Sequence, residues 1–219
     1  MNRLVNNTWK LLQNVDFDWL ICGGFAIDLF CGEKTRNHID IDVCVFWENR
    51  DGIIEYMSDL DWTIYEACGG GLVHQITDLS QQKYIKSNIF CVNDSNKSFH
   101  VTPAGDNMFR CEIEPTEQVE LDYIEFLFNK RNKYCFLYSR NENVKRELAR
   151  AVLFFNTIPY LAPEIVLLYK STEPKRDDYE QDFAMAMVKM CDDSKTWLVN
   201  SLEVCYPDGH DWLNRLRNN

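Results

Sequence analysis

The sequence has fewer basic than acidic residues, and this imbalance narrows the classes of partner it can bind. Lysine and arginine total 23 against 34 aspartates and glutamates, giving a formal net charge of -11 over 219 residues. A protein that grips DNA or RNA normally carries a basic patch facing the phosphate backbone. We therefore expect no nucleic-acid partner, although a cationic ligand would be attracted by this charge.

Long apolar runs and paired cysteine motifs are also missing. No run approaches the length of a membrane span, and the first residues lack the apolar core of a signal peptide, so we expect no membrane partner. The nine cysteines form no C-x-x-C pair, and several lie inside apolar runs, as reduced, buried thiols do. These features predict a cytoplasmic protein.

Several common catalytic motifs are absent as well. The chain has no Walker A pattern, no G-x-S-x-G turn and no His/Cys zinc spacing, and its four histidines are dispersed. It also has no internal repeat and no low-complexity linker. What it does have is 46% hydrophobic and 13% aromatic residues, enough to bury a real core.

The order of the predicted elements indicates an α+β fold. Up to about residue 140 we expect a mixed β-sheet flanked by helices, because short apolar runs alternate with turn residues. Residues 141–219 should be mainly helical. The predicted helices there are Val144–Ala151, Pro163–Lys170, Asp178–Met190, Ser194–Val204 and Gly209–Leu216.

The most informative stretch runs from Trp19 to Phe46, WLICGGFAIDLFCGEKTRNHIDIDVCVF. It begins with an apolar strand that ends in Gly23-Gly24 and leads into a helix, where free backbone N–H groups can face an anion. By itself, a glycine pair more often marks an ordinary tight turn. The basic loop Lys34–His38 follows, and it would either contact phosphates or neutralise the acids after it.

Those acids are Asp40 and Asp42, two residues apart on a predicted strand. Alternation points both carboxylates to one face while Ile41 and Val43 point into the core. Their repulsion is tolerated where a cation lies between them, and such hard oxygen ligands favour Mg²⁺ bridged to substrate phosphates. An isolated Asp-x-Asp also occurs on solvated strand faces. The succession of glycine turn, short helix, basic loop and acid pair is harder to explain by packing.

This stretch resembles the signature of the nucleotidyltransferase superfamily that includes polymerase-β-like enzymes. Within it, the resemblance is strongest to the aminoglycoside and lincosamide nucleotidyltransferases and their uncharacterised bacterial relatives. A second resemblance to the same relatives, PYLAPE…LLYK…DF, runs from Pro159 to Phe183. Together the two cover nearly the whole chain, but they do not identify the acceptor or the oligomeric state.

The resemblance implies a metal-dependent enzyme that transfers AMP from ATP, or the equivalent group of another nucleoside triphosphate, to a hydroxyl of a small molecule. An aminoglycoside- or lincosamide-like antibiotic would be such an acceptor. Gly23 and Gly24 would cradle the triphosphate, and Asp40 and Asp42 would hold two Mg²⁺ ions. Residues 1–140 would be the nucleotidyltransferase catalytic domain, and residues 141–219 would complete the acceptor pocket.

The family also needs a third carboxylate, which completes the metal site and often acts as the general base. Glu125 is a lone acid in the apolar strand Asp122–Phe128, where a charge needs a partner. Glu112, or Glu114, in the segment Phe109–Glu114 is the rival. We prefer Glu125.

Two cations are candidates for the phosphates of the nucleotide. Arg36 lies in the basic loop, and Lys170 ends an apolar helical run, where it would either reach the triphosphate or meet the helix dipole. Asp182 is expected to be structural, as a partner of Lys170. The acids Asp177, Asp178 and Asp182 would also suit a cationic acceptor.

A different class of function stays open at this point. In some bacterial two-gene modules the same fold serves as an antitoxin-like or regulatory module that acts on or binds a partner protein. The complete carboxylate set argues against an inert module, because unused paired aspartates would only cost stability.

Overall fold

The computed structural model describes residues 2–83, 86–115, 118 and 120–217. The helices are α1 Arg3–Leu12, α2 Gly23–Cys31, α3 Arg50–Asp59, α4 Leu148–Ala151, α5 Pro163–Lys170, α6 Asp177–Lys189, α7 Asp192–Cys205 and α8 Asp211–Arg217. The strands are β1 Trp19–Ile21, β2 Asp42–Phe46, β3 Thr63–Gly69, β4 Leu72–Ile76, β5 Ile89–Val92, β6 Phe99–Gly105, β7 Met108–Ile113, β8 Tyr123–Arg131, β9 Cys135–Leu137, β10 Lys145–Glu147, β11 Val152–Phe155 and β12 Ile158–Leu161. Within these described ranges, no helix combines the length and the apolar character that crossing a bilayer requires.

The chain packs as two compact units, each built from separated segments. The first contains the residues up to Trp19 together with His38–Phe128, and the second contains Leu20–Asn37 together with the residues from Asn129 onward. This division follows packing. The predicted division at residue 140 concerns catalytic and acceptor-binding roles, and it stays a prediction.

The first unit contains a sheet with the strand order β2-β8-β5-β3-β4-β7-β6. From β8 to β6 each neighbouring pair is antiparallel. The register sets Phe90 opposite both Glu125 and Tyr65, so these three side chains share one face of the sheet. A buried core on that face contains Tyr65, Phe99 and Tyr123. The face that carries Glu125 is therefore largely aromatic.

Alternation along β8 explains why this strand forms where it does. Ile124, Phe126 and Phe128 are buried, at 0%, 0% and 4% exposure, on the face opposite Glu125. Full burial of such side chains is worth about 1.5–3 kcal/mol each. A shift of one residue would move all three side chains to the other face of the sheet and put Glu125 in their place, so the register is strongly determined.

The second unit is centred on α2, which is apolar almost all round. Phe25, Ala26 and Ile27 are fully buried, and the helix ends at Gly32, whose φ of +73° is a conformation that favours glycine. Here β12 pairs parallel with β1 and antiparallel with β11, which makes a small mixed sheet. Helices α5 to α8 supply the rest of the unit.

The predicted α+β fold with a helical C-terminal region is confirmed. One predicted element is wrong: Val144–Ala151 forms β10 and a single helical turn, and the β11–β12 hairpin that follows was missed. Arg146 gives a physical reason, because its buried guanidinium donates hydrogen bonds to Glu164 at 2.6 Å and to Asp193 at 2.7 Å. These tertiary contacts outweigh the local helix propensity.

Candidate active site

The aspartate pair lies at the beginning of β2. Asp42 is the first residue of this strand, whereas Asp40 lies two positions before it, outside the regular strand. Ile41 between them is fully buried, and its carbonyl accepts a hydrogen bond from the Glu125 N–H at 3.3 Å. This bond joins the aspartate segment to β8, the next strand of the sheet.

Glu125 lies within electrostatic reach of both aspartates. Burial raises the pKa of Glu125 to about 8, with further contributions from the charges of Asp42 and Asp40, while a hydrogen bond from the Asn88 side chain acts in the opposite direction. The pKa of Tyr123 is also raised, mainly by burial and then by the same three carboxylates. The structure therefore brings Asp40, Asp42 and Glu125 together on one side of the first unit.

Glu112, the rival third carboxylate, lies elsewhere. It is exposed on β7, opposite His100, and strands β5, β3 and β4 lie between β7 and β8 in the sheet. Its neighbour Cys111 shares the face of Glu125, so Glu112 points to the other face. Glu114 is also exposed and lies 3.4 Å from His100. Of these acids only Glu125 lies beside the aspartate pair, and its role as a metal ligand stays a prediction.

The donor set suits the Mg²⁺ that the resemblance implies. Three carboxylates offer hard oxygen ligands, and a cation would relieve the mutual repulsion that adds to burial in raising the pKa of Glu125. Across the described part of the chain, no group of three or more His, Cys, Asp or Glu side chains forms a preformed metal-binding site. Mg²⁺ rarely uses such a site, because one or two carboxylates and the substrate phosphates usually hold it. The residues present therefore fit Mg²⁺.

Two members of this group were missed by sequence reasoning. Tyr123 shares the face of Glu125 on β8, and its hydroxyl donates to the Ile39 carbonyl at 3.4 Å. The alternation along β8 was a usable signal for Tyr123. Asn88 has no such signal, because its position depends on strands that are distant in sequence.

The predicted phosphate-binding glycines lie in the second unit. Gly23 and Gly24 begin α2 directly after β1, as predicted, and Gly23 has a φ of +61°. A side chain would strain this conformation. The first N–H groups of a helix lack partners within the helix, so they are available to an anion.

Arg36 and Lys170 also lie in the second unit, and they share one carboxylate. Arg36 donates to Asp182 from Nε at 2.9 Å and from Nη2 at 3.0 Å, and the Lys170 ammonium lies 2.9 Å from the same carboxylate. The Asp182 side chain is fully buried, and the two cations are 14% and 9% exposed. The expected pairing of Lys170 with Asp182 is present, and Arg36 is a second partner that was not foreseen.

The ion pairs of this unit weaken the expectation that its acids attract a cationic acceptor. Asp178 lies 2.7 Å from Arg176 and 3.8 Å from Arg36, and Asp182 holds two cations. Of the three acids expected to suit a cationic acceptor, two are therefore already neutralised within the protein. The acidic composition gives no specific support for a cationic acceptor at this place.

Asp182→Asn is expected to destabilise the protein by about 3–5 kcal/mol, because it leaves two buried cations without their shared carboxylate. Asp178→Asn is the matched control. Its carboxylate is more exposed, so the loss should be about 0–1 kcal/mol. Urea unfolding of both variants measures the difference. If both variants lose only a small and similar amount of unfolding free energy, the contacts of Asp182 with Arg36 and Lys170 contribute little to stability.

Comparison with known proteins identifies the family. The sequence matches the model of the aminoglycoside-2''-adenylyltransferase family over residues 4–149, more than half of the chain. The chain belongs to this family. It is therefore a nucleotidyltransferase, and the matched region includes both aspartates and Glu125. A search of curated protein sequences gave no significant match.

Solved structures with similar folds share little sequence with this nucleotidyltransferase. The solution structure of the antibiotic-resistance factor ANT(2'')-Ia is 13% identical, with 94% of this chain and 92% of that chain covered and a TM-score of 0.50. The lincomycin-bound lincosamide antibiotic adenylyltransferase LnuA is 13% identical, with 84% of this chain and 98% of that chain covered and a TM-score of 0.48. The crystal structure of ANT(2'')-Ia in complex with adenylyl-2''-tobramycin is 12% identical, with 92% of this chain and 98% of that chain covered and a TM-score of 0.49. At such identities only the fold of ANT(2'')-Ia is informative.

Proposed function

We propose that this nucleotidyltransferase transfers AMP from ATP to a hydroxyl of an aminoglycoside- or lincosamide-like antibiotic. The observation that carries the proposal is the convergence of Asp40, Asp42 and Glu125 in a chain of an adenylyltransferase family. Three carboxylates on one side of a sheet are costly unless they bind a cation. Adenylyl transfer needs such a cation beside the phosphates.

In the proposed reaction the acceptor oxygen bonds to the α-phosphorus while the bond from that phosphorus to pyrophosphate breaks. Glu125 takes the proton of the acceptor hydroxyl. Asp40, Asp42 and Glu125 would hold two Mg²⁺ ions. When bound, these ions would neutralise charge on the attacking and leaving oxygens.

The glycine turn, Arg36 and Lys170 are assigned to the triphosphate. The glycine turn Gly23-Gly24 offers backbone N–H groups at the start of α2. Arg36 and Lys170 both contact Asp182, and their positive charges are the ones assigned to the phosphate oxygens. Their contacts with Asp182 also fix their positions, which lowers the entropy cost of binding.

A panel assay tests the proposal directly. The purified protein is incubated with Mg²⁺, each nucleoside triphosphate in turn, and a set of aminoglycosides and lincosamides that includes tobramycin and lincomycin. We expect pyrophosphate release that depends on ATP and on one class of acceptor, with a gain of one AMP in the acceptor mass. A chelator should stop both signals.

The same assay separates the antitoxin-like or regulatory alternative. No contact among the described residues specifically favours that alternative. It predicts that no antibiotic gains mass and that a partner protein gains AMP or simply binds. Such a result, reproduced with purified components, would replace the proposed function.

A further inference from the structure

Asn88 lies where three strands of the first unit run side by side. It directly precedes β5, which has β3 and β8 as neighbours in the sheet. Its backbone carbonyl accepts a hydrogen bond from the Ala67 N–H of β3 at 2.9 Å. Its side-chain Oδ1 accepts one from the Phe128 N–H of β8 at 3.1 Å. Both neighbouring strands therefore fix the position of Asn88.

The bond to Phe128 also fixes the orientation of the Asn88 amide. Because Oδ1 is engaged by an N–H donor, the Nδ2 group is the end that donates, and it donates to the Glu125 carboxylate. The register agrees with this contact. Ile89 opposes Phe126 and Phe90 opposes Glu125, so Asn88 and Glu125 are diagonal neighbours on one face.

We infer that Asn88 is a positioning residue for nucleotidyl transfer, because its amide holds the Glu125 carboxylate in the orientation in which it faces Asp40 and Asp42. The inference rests on the proposed function, in which these carboxylates hold Mg²⁺. Like charges tend to separate when no cation is bound, so a fixed donor is needed to keep Glu125 in place. Loss of such a supporting hydrogen bond typically costs about 10–100-fold in metal affinity or activity.

Asn88→Ala removes the donor, and Asn93→Ala is a matched control in the same unit. The Asn93 side chain also bridges backbone groups, accepting from the Ser95 N–H and donating to the Leu121 carbonyl, but it has no carboxylate partner among its described contacts. Both variants lose a side-chain hydrogen bond to the backbone. Only Asn88→Ala loses support for Glu125.

The test measures Mn²⁺ binding by electron paramagnetic resonance in the presence of α,β-methylene-ATP, together with kcat and thermal melting. For Asn88→Ala we expect Mn²⁺ affinity and kcat to fall about 10–100-fold, while Asn93→Ala keeps both near the wild-type values. The double variant with Glu125→Gln should bind Mn²⁺ no more weakly than Glu125→Gln alone, because Asn88 acts through Glu125. A purely structural role would give additive losses and would overturn the inference.

A second variant covers the possibility that Asn88→Ala does not fold. Asn88→Asp keeps an acceptor for the Phe128 N–H but cannot donate to Glu125 and repels it, so kcat should again fall. An unchanged kcat in Asn88→Asp, or in a folded Asn88→Ala, would overturn the inference while leaving the proposed function intact. A wild-type protein that binds no Mn²⁺ and transfers no nucleotide would overturn both.

Discussion

Asp42→Asn is expected to lower kcat/KM for nucleotidyl transfer by about 10³-fold or more, and Asp40→Asn should behave alike. A neutral amide is a poor ligand for a hard cation, and metal stabilisation of the transition state is worth several kcal/mol. Ile41 keeps its place in the core in both variants, so the backbone that joins the pair to β8 is retained. Pyrophosphate release with the best acceptor of the panel measures the loss.

Thermal melting in a chelator separates lost chemistry from lost folding. Each variant removes one of the like charges that act on Glu125, so the metal-free protein should keep its stability or gain up to about 1 kcal/mol. That gain corresponds to about 2–4 °C in Tm for a chain of this size. Asp59→Asn, at the exposed end of α3, is the matched control and should change neither activity nor melting. Near-normal turnover in either site variant would mean that the pair takes no part in the reaction.

The part of the site that was predictable from the sequence is the part whose pattern is local. A glycine pair between a strand and a helix, and two acids that flank a buried isoleucine, are contiguous signals whose physics is set by neighbouring residues. Glu125 was predictable for the same reason, since Ile124 and Phe126 had to face the core. The exact start of β2 was less predictable from the sequence, because the end of a strand depends on the partner strand as much as on its own residues.

The remaining features depend on residues that are distant in sequence. Arg36 and Asp182 are separated by 146 positions, and no local pattern links a basic loop to an acid on a later helix. Asn88 likewise stands in an ordinary polar turn, and its contact with Glu125 exists only because β3, β5 and β8 are neighbours in the sheet. The β11–β12 hairpin was missed because its apolar run is too short to separate strand from helix by periodicity.

Glu125→Gln is expected to lower kcat by about 10²–10⁴-fold, the range that a positioned general base contributes. Gln keeps the shape of the side chain and can still contact Asn88, but it cannot take a proton from the acceptor. Glu112→Gln is the matched control on the exposed face of β7, and it should change the rate by no more than about twofold, as surface substitutions do. Equal losses in the two variants, or a larger loss for Glu112→Gln, would reverse the assignment of the third carboxylate.

The stability of the metal-free protein gives an independent test of the same assignment. Burial gives Glu125 a pKa of about 8 in the folded protein against an ordinary value of 4.5, and the titratable and polar groups that interact with it include Asp42, Asp40, Cys111, Tyr123 and Asn88. The folded state therefore binds this proton more tightly than the unfolded state, and stability falls as the pH rises from about 4.5 to about 8. Glu125→Gln cannot titrate, so its Tm in a chelator should fall less between pH 5 and pH 8 than that of the wild type, roughly the window set by the two pKa values. If both proteins lose stability in parallel, the pKa of Glu125 is not raised in the folded protein, and Glu125 would have to be removed from the proposed group of carboxylates.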